Sequence, residues 1–579
     1  MARVVIIGER DSVARALIDC LCESPFVEKC ERSPQAETGP GEGWNCDWTA
    51  LLQKRAIDTV IYSPLSRSGA CETDHIARAE AVFQGCAHAG VKSVVVLSSA
   101  AVYGASPRNS GLISESRPAS RSLKDTVASR WNNLESVAQR WLGEREEVKL
   151  TILRVAAVPV RGGEDQFSRL FENRLAFTLP GYNPSVQVLG LDDMASAVRC
   201  VIEKSEGGIY NVAPDGVIPV RAALLLSRSH RIPIPRGLRR IARAAQGRYG
   251  HAKTIDELDY IRYSWTVSNK KIKQQLGFTP KRTSAEAVMD FTIAPDGCRR
   301  VNEAALREFD DFGMDQAYVA KLGRTVFKVL ERCYWRIEID GLERVPREGR
   351  AVLVGVHRAF MPWDGILIVD LLLKKLGRCP RFLMHPGLAK PPFIADFMAR
   401  IGAVIACREN ADYLLERDEI LGVFPEGING AFTLYRDAYR LGKFSRNEFV
   451  KMALRNKAPI VPFVTVGSAE ILPIFKKIEW SWWKRHTDWP CLPITPTFPL
   501  LPVPLPSKWH TQFLAPIHVE SEFGPEAAAD PAIVRAISQD VRRRMQEAIE
   551  EILSRRKSIF FGSVFKRESR KALFKDEVS

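Results

Sequence analysis

The 579 residues exceed what one hydrophobic core holds, and at about 150 residues per domain they allow up to four domains or two large α/β ones. A hydrophobic share of 46% and a charged share of 26% are those of a soluble globular chain, and twelve scattered cysteines without a CxxC pair exclude a disulfide scaffold or a clustered metal framework. The net charge of +15 asks for an anionic partner: nucleic acid, an anionic membrane face or phosphorylated substrates.

In chain order, MARVVIIGERD reaches charged residues by position 9, so no secretory leader is expected. No window reaches about 18 uninterrupted apolar residues, so any membrane contact is expected to be peripheral. The runs VVIIG (4–8), DTVIYSPL (58–65), SVVVLSSAAVYG (93–104) and VKLTILRVAAV (148–158) read as buried parallel strands. SVARALIDCL (12–21) and HIARAEAVFQGCAHAG (75–90) read as amphipathic helices between them. The alternation predicts a doubly wound sheet.

With LGLDDMASAVRCVIE (189–203), GGIYNVAP (207–214) and SNKKIKQQLGFTP (268–280), these segments resemble the extended short-chain dehydrogenase and NAD-dependent epimerase family over about residues 1 to 290. The resemblance implies a Rossmann-like sheet with a small substrate lobe, and Gly8 as the residue left for cofactor binding. The family's chemistry is worn. Asp11 and Ala14 stand where its other two glycines would approach a pyrophosphate, and a carboxylate is the wrong charge there. Its Tyr-x-x-x-Lys pair aligns with Thr126 and Arg130, neither of which replaces a phenolic acid and its lysine. Ser98 or Ser99 remains at the serine position. Three roles stay open: an active oxidoreductase or epimerase using NAD(P), a retained nucleotide pocket without catalysis, and a scaffold or regulatory lobe.

RSHRIPIPRGLRRIARAAQGRYGHAK (228–253) carries seven arginines, one lysine and no acid. It reads as a solvated helix face, as a patch on anionic lipid or, without any recognition-helix, RRM or KH signature, as a nucleic-acid contact in third place. A helical connector is expected near 291–332.

The pattern restarts at WRIEIDGLERVP. AVLVGV (351–356) reads as a strand, and Pro362 suits the first turn of a helix running to about Leu376. His357 then sits on a strand-to-helix loop and Asp364 in the first helical turn, at the sheet edge where α/β folds bind ligands. ARIGAVIACRENA (399–411) carries Arg408 after a strand, EILGVFPEGINGAF (419–432) carries Phe424-Pro425-Glu426-Gly427 at a strand end, and KAPIVPFVTVGSAE (457–470) is a strand beginning with prolines.

Four blocks in this order resemble the glycerophospholipid acyltransferase superfamily over about 330 to 555. The box has six residues between His357 and Asp364 where the common pattern has four, and Ile428-Asn429 follow Gly427 in place of Thr and Ser. These departures, with LPITPTFPLLPVPLPSKW (492–509), look like the subgroup resembling mono- and diacylglycerol acyltransferases. The resemblance implies transfer of an acyl group from acyl-CoA or acyl-carrier protein to a lysophospholipid or acylglycerol hydroxyl, with no cofactor or metal. His357 would be the general base and Asp364 its orienting acid. Arg408 would clamp an acceptor phosphate, and Phe424, Pro425, Glu426 and Gly427 would shape the substrate site.

KKIEWSWWKRHTDW (476–489) interleaves four tryptophans with Lys476, Lys477, Lys484 and Arg485. It reads either as core aromatics with surface lysines or as an interfacial segment placing Trp480, Trp482 and Trp483 at an anionic membrane surface. SRRKSIFFGSVFKRESRKALFK (554–575), with eight basic residues and one acid, reads as a basic anchor or a disordered tail.

The expected organisation is therefore an epimerase-like Rossmann domain at 1–290, a connector at 291–332, an acyltransferase domain at 333–555 and a basic tail at 556–579. The expected location is cytoplasmic, peripheral on the inner face of the membrane, with no nucleic acid bound. Two other functions stay open: a bifunctional protein whose first half is an active reductase or epimerase, and a lipid-binding protein without catalysis.

Overall fold

A computed structural model describes residues 1–8, 11–33, 47–64, 72–121, 125–143, 145–163, 165–234, 259–293, 310–358, 361–444, 447–497 and 504–565. Most of the basic stretch 228–253, from 235 onward, and the tail from 566 lie outside them. The chain divides into two compact units, Met1–Gly313 and Met314–Ser579.

The first unit is built on β1 (Ala2–Gly8), β2 (Val27–Arg32), β3 (Thr59–Ser63), β4 (Ser93–Ser99), β5 (Lys149–Val155) and β6 (Gly208–Val212). They pair in the order β2-β1-β3-β4-β5-β6, every pairing parallel. That is a doubly wound order with its reversal between β1 and β3, as the alternating apolar runs predict. Val4 to Ile7 and Val94 to Leu97 are fully buried, because a parallel sheet is covered on both faces and tolerates no polar alternation. Helices α1 (Asp11–Cys22), α2 (Glu72–Ala89) and α3 (Thr126–Leu142) connect the strands. Short pairings of Leu175–Thr178 with His230–Pro233, and of Ser185–Val186 with Ile218–Pro219, make a small lobe.

The second unit holds β7 (Glu338–Asp340), β8 (Ala351–Val354), β9 (Arg381–Met384), β10 (Val404–Ile405), β11 (Ile420–Val423), β12 (Ile460–Val466) and β13 (His510–Phe513). Their order is β7-β13-β12-β8-β11-β9-β10. From β12 to β10 all strands run parallel, and the β12–β13 pairing is antiparallel, so the sheet is mixed. Among the described residues no helix is long and apolar enough to cross a membrane.

Two expected boundaries move. The connector expected at 291–332 is split, because Gln316–Leu322 continues as one helical run to Tyr334 that buries Val319 and Phe327 in the second core. The tail expected to begin at 556 packs as far as it is described. The α7 helix (Pro531–Arg555) is capped by Asp530, whose carboxylate accepts from Ala532 N at 2.7 Å, and it buries Val534, Val541, Met545 and Ile552 at helical spacing. Arg556, just beyond it, pairs with Glu470 at 2.6 Å, each side chain only 6% exposed. A buried charge pair of that kind needs both partners in place, so the chain cannot be loose at 556.

Candidate active site

Strand β8 lies mid-sheet between β11 and β12, with Val354 opposite Val423 on one side and Pro462 on the other. Gly355 N donates to Val423 O at 3.0 Å, so β8 and β11 end level. The next residues on each strand therefore meet at the carboxyl edge. His357 follows β8 and Phe424 follows β11, their rings 5.1 Å apart. Phe424 stacks in turn on Phe382 of β9 at 5.2 Å. The imidazole thus rests on an aromatic floor that β9 and β11 supply.

The α4 helix (Trp363–Leu376) starts one residue after Pro362, which caps it rather than opening its first turn. Asp364 stands in that first turn, its side chain 1% exposed. Its two oxygens lie 2.9 and 3.0 Å from His357 Nδ1, and Oδ1 also accepts from Gly365 N at 2.9 Å. An aspartate so held fixes the proton on Nδ1 and leaves Nε2 as the basic nitrogen. The histidine side chain is 10% exposed.

The Phe-Pro-Glu-Gly turn closes with Gly427 N donating to Phe424 O at 2.8 Å. Gly427 takes φ +57° there, a left-handed value that favours glycine, and opens the short α6 helix (Gly427–Ala431). Glu426 faces inward. Arg358, 1% exposed at its side chain, pairs with it at 2.6 Å, and Gly442 N donates to its Oε1 at 2.6 Å. The same guanidinium donates to the carbonyls of Ala438 (2.6 Å) and Arg440 (3.1 Å). Glu426, expected to line the substrate site, is thus engaged by protein groups and braces the loop that carries the histidine. Arg358 was not singled out in the sequence, because a lone arginine after a histidine looks like a surface charge.

Arg408 is the first residue of α5 (Arg408–Glu416), after the edge strand β10. Its side chain is 67% exposed and pairs with Asp412 at 3.2 Å. Three strand spacings separate β10 from β8, about 14 Å at ~4.8 Å each, so Arg408 shares the edge with His357 without touching it. Trp480 and Trp482 are exposed with rings 4.9 Å apart, whereas Trp483, expected beside them, turns inward against Trp489 at 5.8 Å.

In the first unit the serine position is occupied differently from what the family resemblance implies. Ser98 is buried and donates to Glu135 at 2.6 Å, and Glu135 pairs with the buried Arg154 at 2.7 Å. Ser99 caps the following turn by accepting from Ala101 N. Arg130 is exposed on α3. Gly8 has a packing reason of its own: a Cβ there would sit 2.7 Å from Ser63 O of β3. The α1 helix starts at Asp11, an acidic residue where the family resemblance implies a glycine. These residues do not fit a dinucleotide.

Residues 336–466 match a family model described as Acyltransferase. An uncharacterized protein of Mycobacterium tuberculosis is 34% identical over 259 residues, 44% of this chain and 72% of that protein. A Mycobacterium leprae relative is 33% identical over 259 residues, covering 44% and 70%. A Bos taurus protein described as a DGAT1/2-independent enzyme synthesizing storage lipids is 26% identical over 133 residues, 23% of this chain and 39% of that one. Among solved structures, MoeE5 in complex with UDP-glucose and NAD is 15% identical with a TM-score of 0.38, covering 50% of this chain and 98% of its own. A UDP-galactose 4-epimerase is 19% identical with a TM-score of 0.36, covering 50% and 97%.

Proposed function

The chain belongs to the acyltransferase family, and on that premise we propose that its second unit moves an acyl group from a thioester to a hydroxyl of a lysophospholipid or acylglycerol, with His357 as general base. The observation that carries this reading is the contact of 2.9 Å between His357 Nδ1 and the buried Asp364 carboxylate. An acceptor hydroxyl is a weak nucleophile at neutral pH. Nε2 takes its proton as the oxygen attacks the thioester carbonyl, the C–S bond then breaks, and the imidazolium returns the proton to the leaving thiolate. Asp364 stabilises the imidazolium between those steps. The donor is acyl-CoA or acyl-carrier protein. Purified protein given mixed acceptors and acyl-thioesters, with the lipids formed identified by mass spectrometry, tests the reading. Absence of any acylated product from every acceptor would sink it.

Arg408 serves in this reading as the clamp for an acceptor phosphate, its exposed fork standing about 14 Å along the edge from the histidine strand. Arg408→Ala is then expected to raise KM about tenfold for a lysophospholipid while leaving a neutral monoacylglycerol unchanged. Steady-state kinetics with the two acceptors reads the difference, and an equal change in both removes the clamp.

The first unit acts as a scaffold or regulatory lobe without redox chemistry. Titration with NAD(H) and NADP(H), followed by fluorescence and by nicotinamide absorbance, is expected to show no hydride transfer to carbonyl or nucleotide-sugar substrates. Turnover of any of them would overturn this. The protein works in the cytoplasm, peripheral on an anionic membrane surface.

A further inference from the structure

We propose that the second unit enters a bilayer through a two-part aromatic tip, Phe393 and the hairpin that follows β12, and that lipid substrates reach His357 from that side. The second clause rests on the acyl-transfer reading; the docking itself does not.

The hairpin pairs Lys476–Ile478 antiparallel with Leu492–Ile494 and carries the helix Ser481–Thr487 at its turn. Phe475, Ile478, Trp480 and Trp482 are between 41% and 61% exposed. Large apolar side chains scattered singly over a surface need no explanation, but four within eight residues do. The base of the same hairpin is anchored: Trp483 packs on Trp489, and Trp489 on Phe432 at 5.9 Å. The protein therefore buries the inner rings and presents the outer ones.

Phe393 is the second part. It is 68% exposed, and its φ of +65° is a left-handed value that a bulky residue adopts only under strain. The surrounding bonds hold it there, with Ile394 N donating to Pro392 O at 2.8 Å and Phe397 N to Phe393 O at 3.0 Å. The two parts are neighbours. Lys390 pairs with Asp488, and a Cβ on Gly387 would sit 3.1 Å from Thr487 O.

Topology places the tip on the reactive edge. Strands β9 and β12 run parallel to β8 and β11, so the segments that leave their carboxyl ends, 385–394 and 467–494, emerge on the same edge as His357. The ring series Trp483, Trp489 and Phe432 leads from the hairpin to the end of α6, whose first turn follows Glu426. Charge selects the occupant. Lys476, Lys477, Lys484 and Arg485 are exposed on the hairpin against the exposed acid Glu479, while the hairpin's other acid, Asp488, is paired with Lys390. Rings at headgroup depth flanked by cations match an anionic lipid surface.

Flotation of the full chain with vesicles of phosphatidylcholine, alone or mixed with phosphatidylglycerol, tests the proposal. The parent should float with both, more strongly with the mixture, and high salt should remove only that increment. The triple variant Phe393→Ser, Trp480→Ser, Trp482→Ser should lose about tenfold or more of its binding to neutral vesicles. Lys476→Gln with Lys477→Gln and Lys484→Gln should lose only the anionic preference. Acyl transfer by the aromatic variant to a water-soluble short-chain acceptor should match the parent, while transfer to a vesicle-embedded acceptor falls. If the aromatic variant floats like the parent, the tip is not the docking surface. A parent that floats with neither vesicle overturns the proposal in favour of a protein partner for this face. Normal flotation without acyl transfer to any acceptor would instead remove the acyl-transfer reading and leave the docking intact.

Discussion

His357→Ala should lower acyl transfer about 10²- to 10⁴-fold, the range for loss of a general base, while the second unit stays folded. The side chain is 10% exposed and hydrogen-bonds Asp364, so truncation leaves little of the core disturbed. Asp364→Asn should cost up to about 10⁴-fold for a different reason. The amide keeps the shape, but its NH₂ can donate to Nδ1, which moves the ring proton to Nε2 and removes the base. Product formation by mass spectrometry, alongside circular dichroism and the unfolding midpoint, reads both variants. Near-parent turnover in a well-folded His357→Ala would end the mechanism proposed for this site.

Arg358→Ala should cost about 3–5 kcal/mol of stability in the second unit, because it leaves a buried carboxylate without its counter-charge. Glu426 is 10% exposed at its side chain and would keep the Gly442 amide without the guanidinium, while the carbonyls of Ala438 and Arg440 lose a donor. Against a typical domain stability of about 5–15 kcal/mol that loss is large. The double change Arg358→Ala, Glu426→Gln should recover part of it, since no unpaired charge then remains. Arg358→Lys should fall between, keeping the charge but not the fork that reaches Glu426, Ala438 and Arg440 together. Denaturant midpoints of the four proteins measure the effect. A single variant within about 0.5 kcal/mol of the parent would show that the pair braces nothing.

The buried strands of the first unit were legible because a parallel sheet, covered on both faces, writes itself as unbroken apolar runs. Strand β2 was not, since VEKCER at the sheet edge is mostly charged and carries no run. The four acyltransferase blocks were legible because each pairs a strand end with the residues that follow it, and a parallel sheet delivers all such ends to one edge. That local grammar is enough to bring His357, Asp364 and Phe424 into one place.

What the sequence by itself determined, then, is the α/β class, the parallel runs and the edge on which the candidate chemistry stands, since these depend on hydrophobic periodicity and short-range spacing. Only the tertiary structure decided which polar and aromatic side chains face inward. Arg358 and Arg408 are both arginines in family blocks, yet one is 1% exposed on a carboxylate 68 residues away and the other is 67% exposed. Trp482 and Trp483 are adjacent, yet one meets solvent and the other meets Trp489. Arg556 looked like the start of a basic tail and is instead half of a buried pair with Glu470. In each case the outcome is set by a partner far along the chain, and burial of a charge or a ring depends on that partner being in position rather than on the residues beside it.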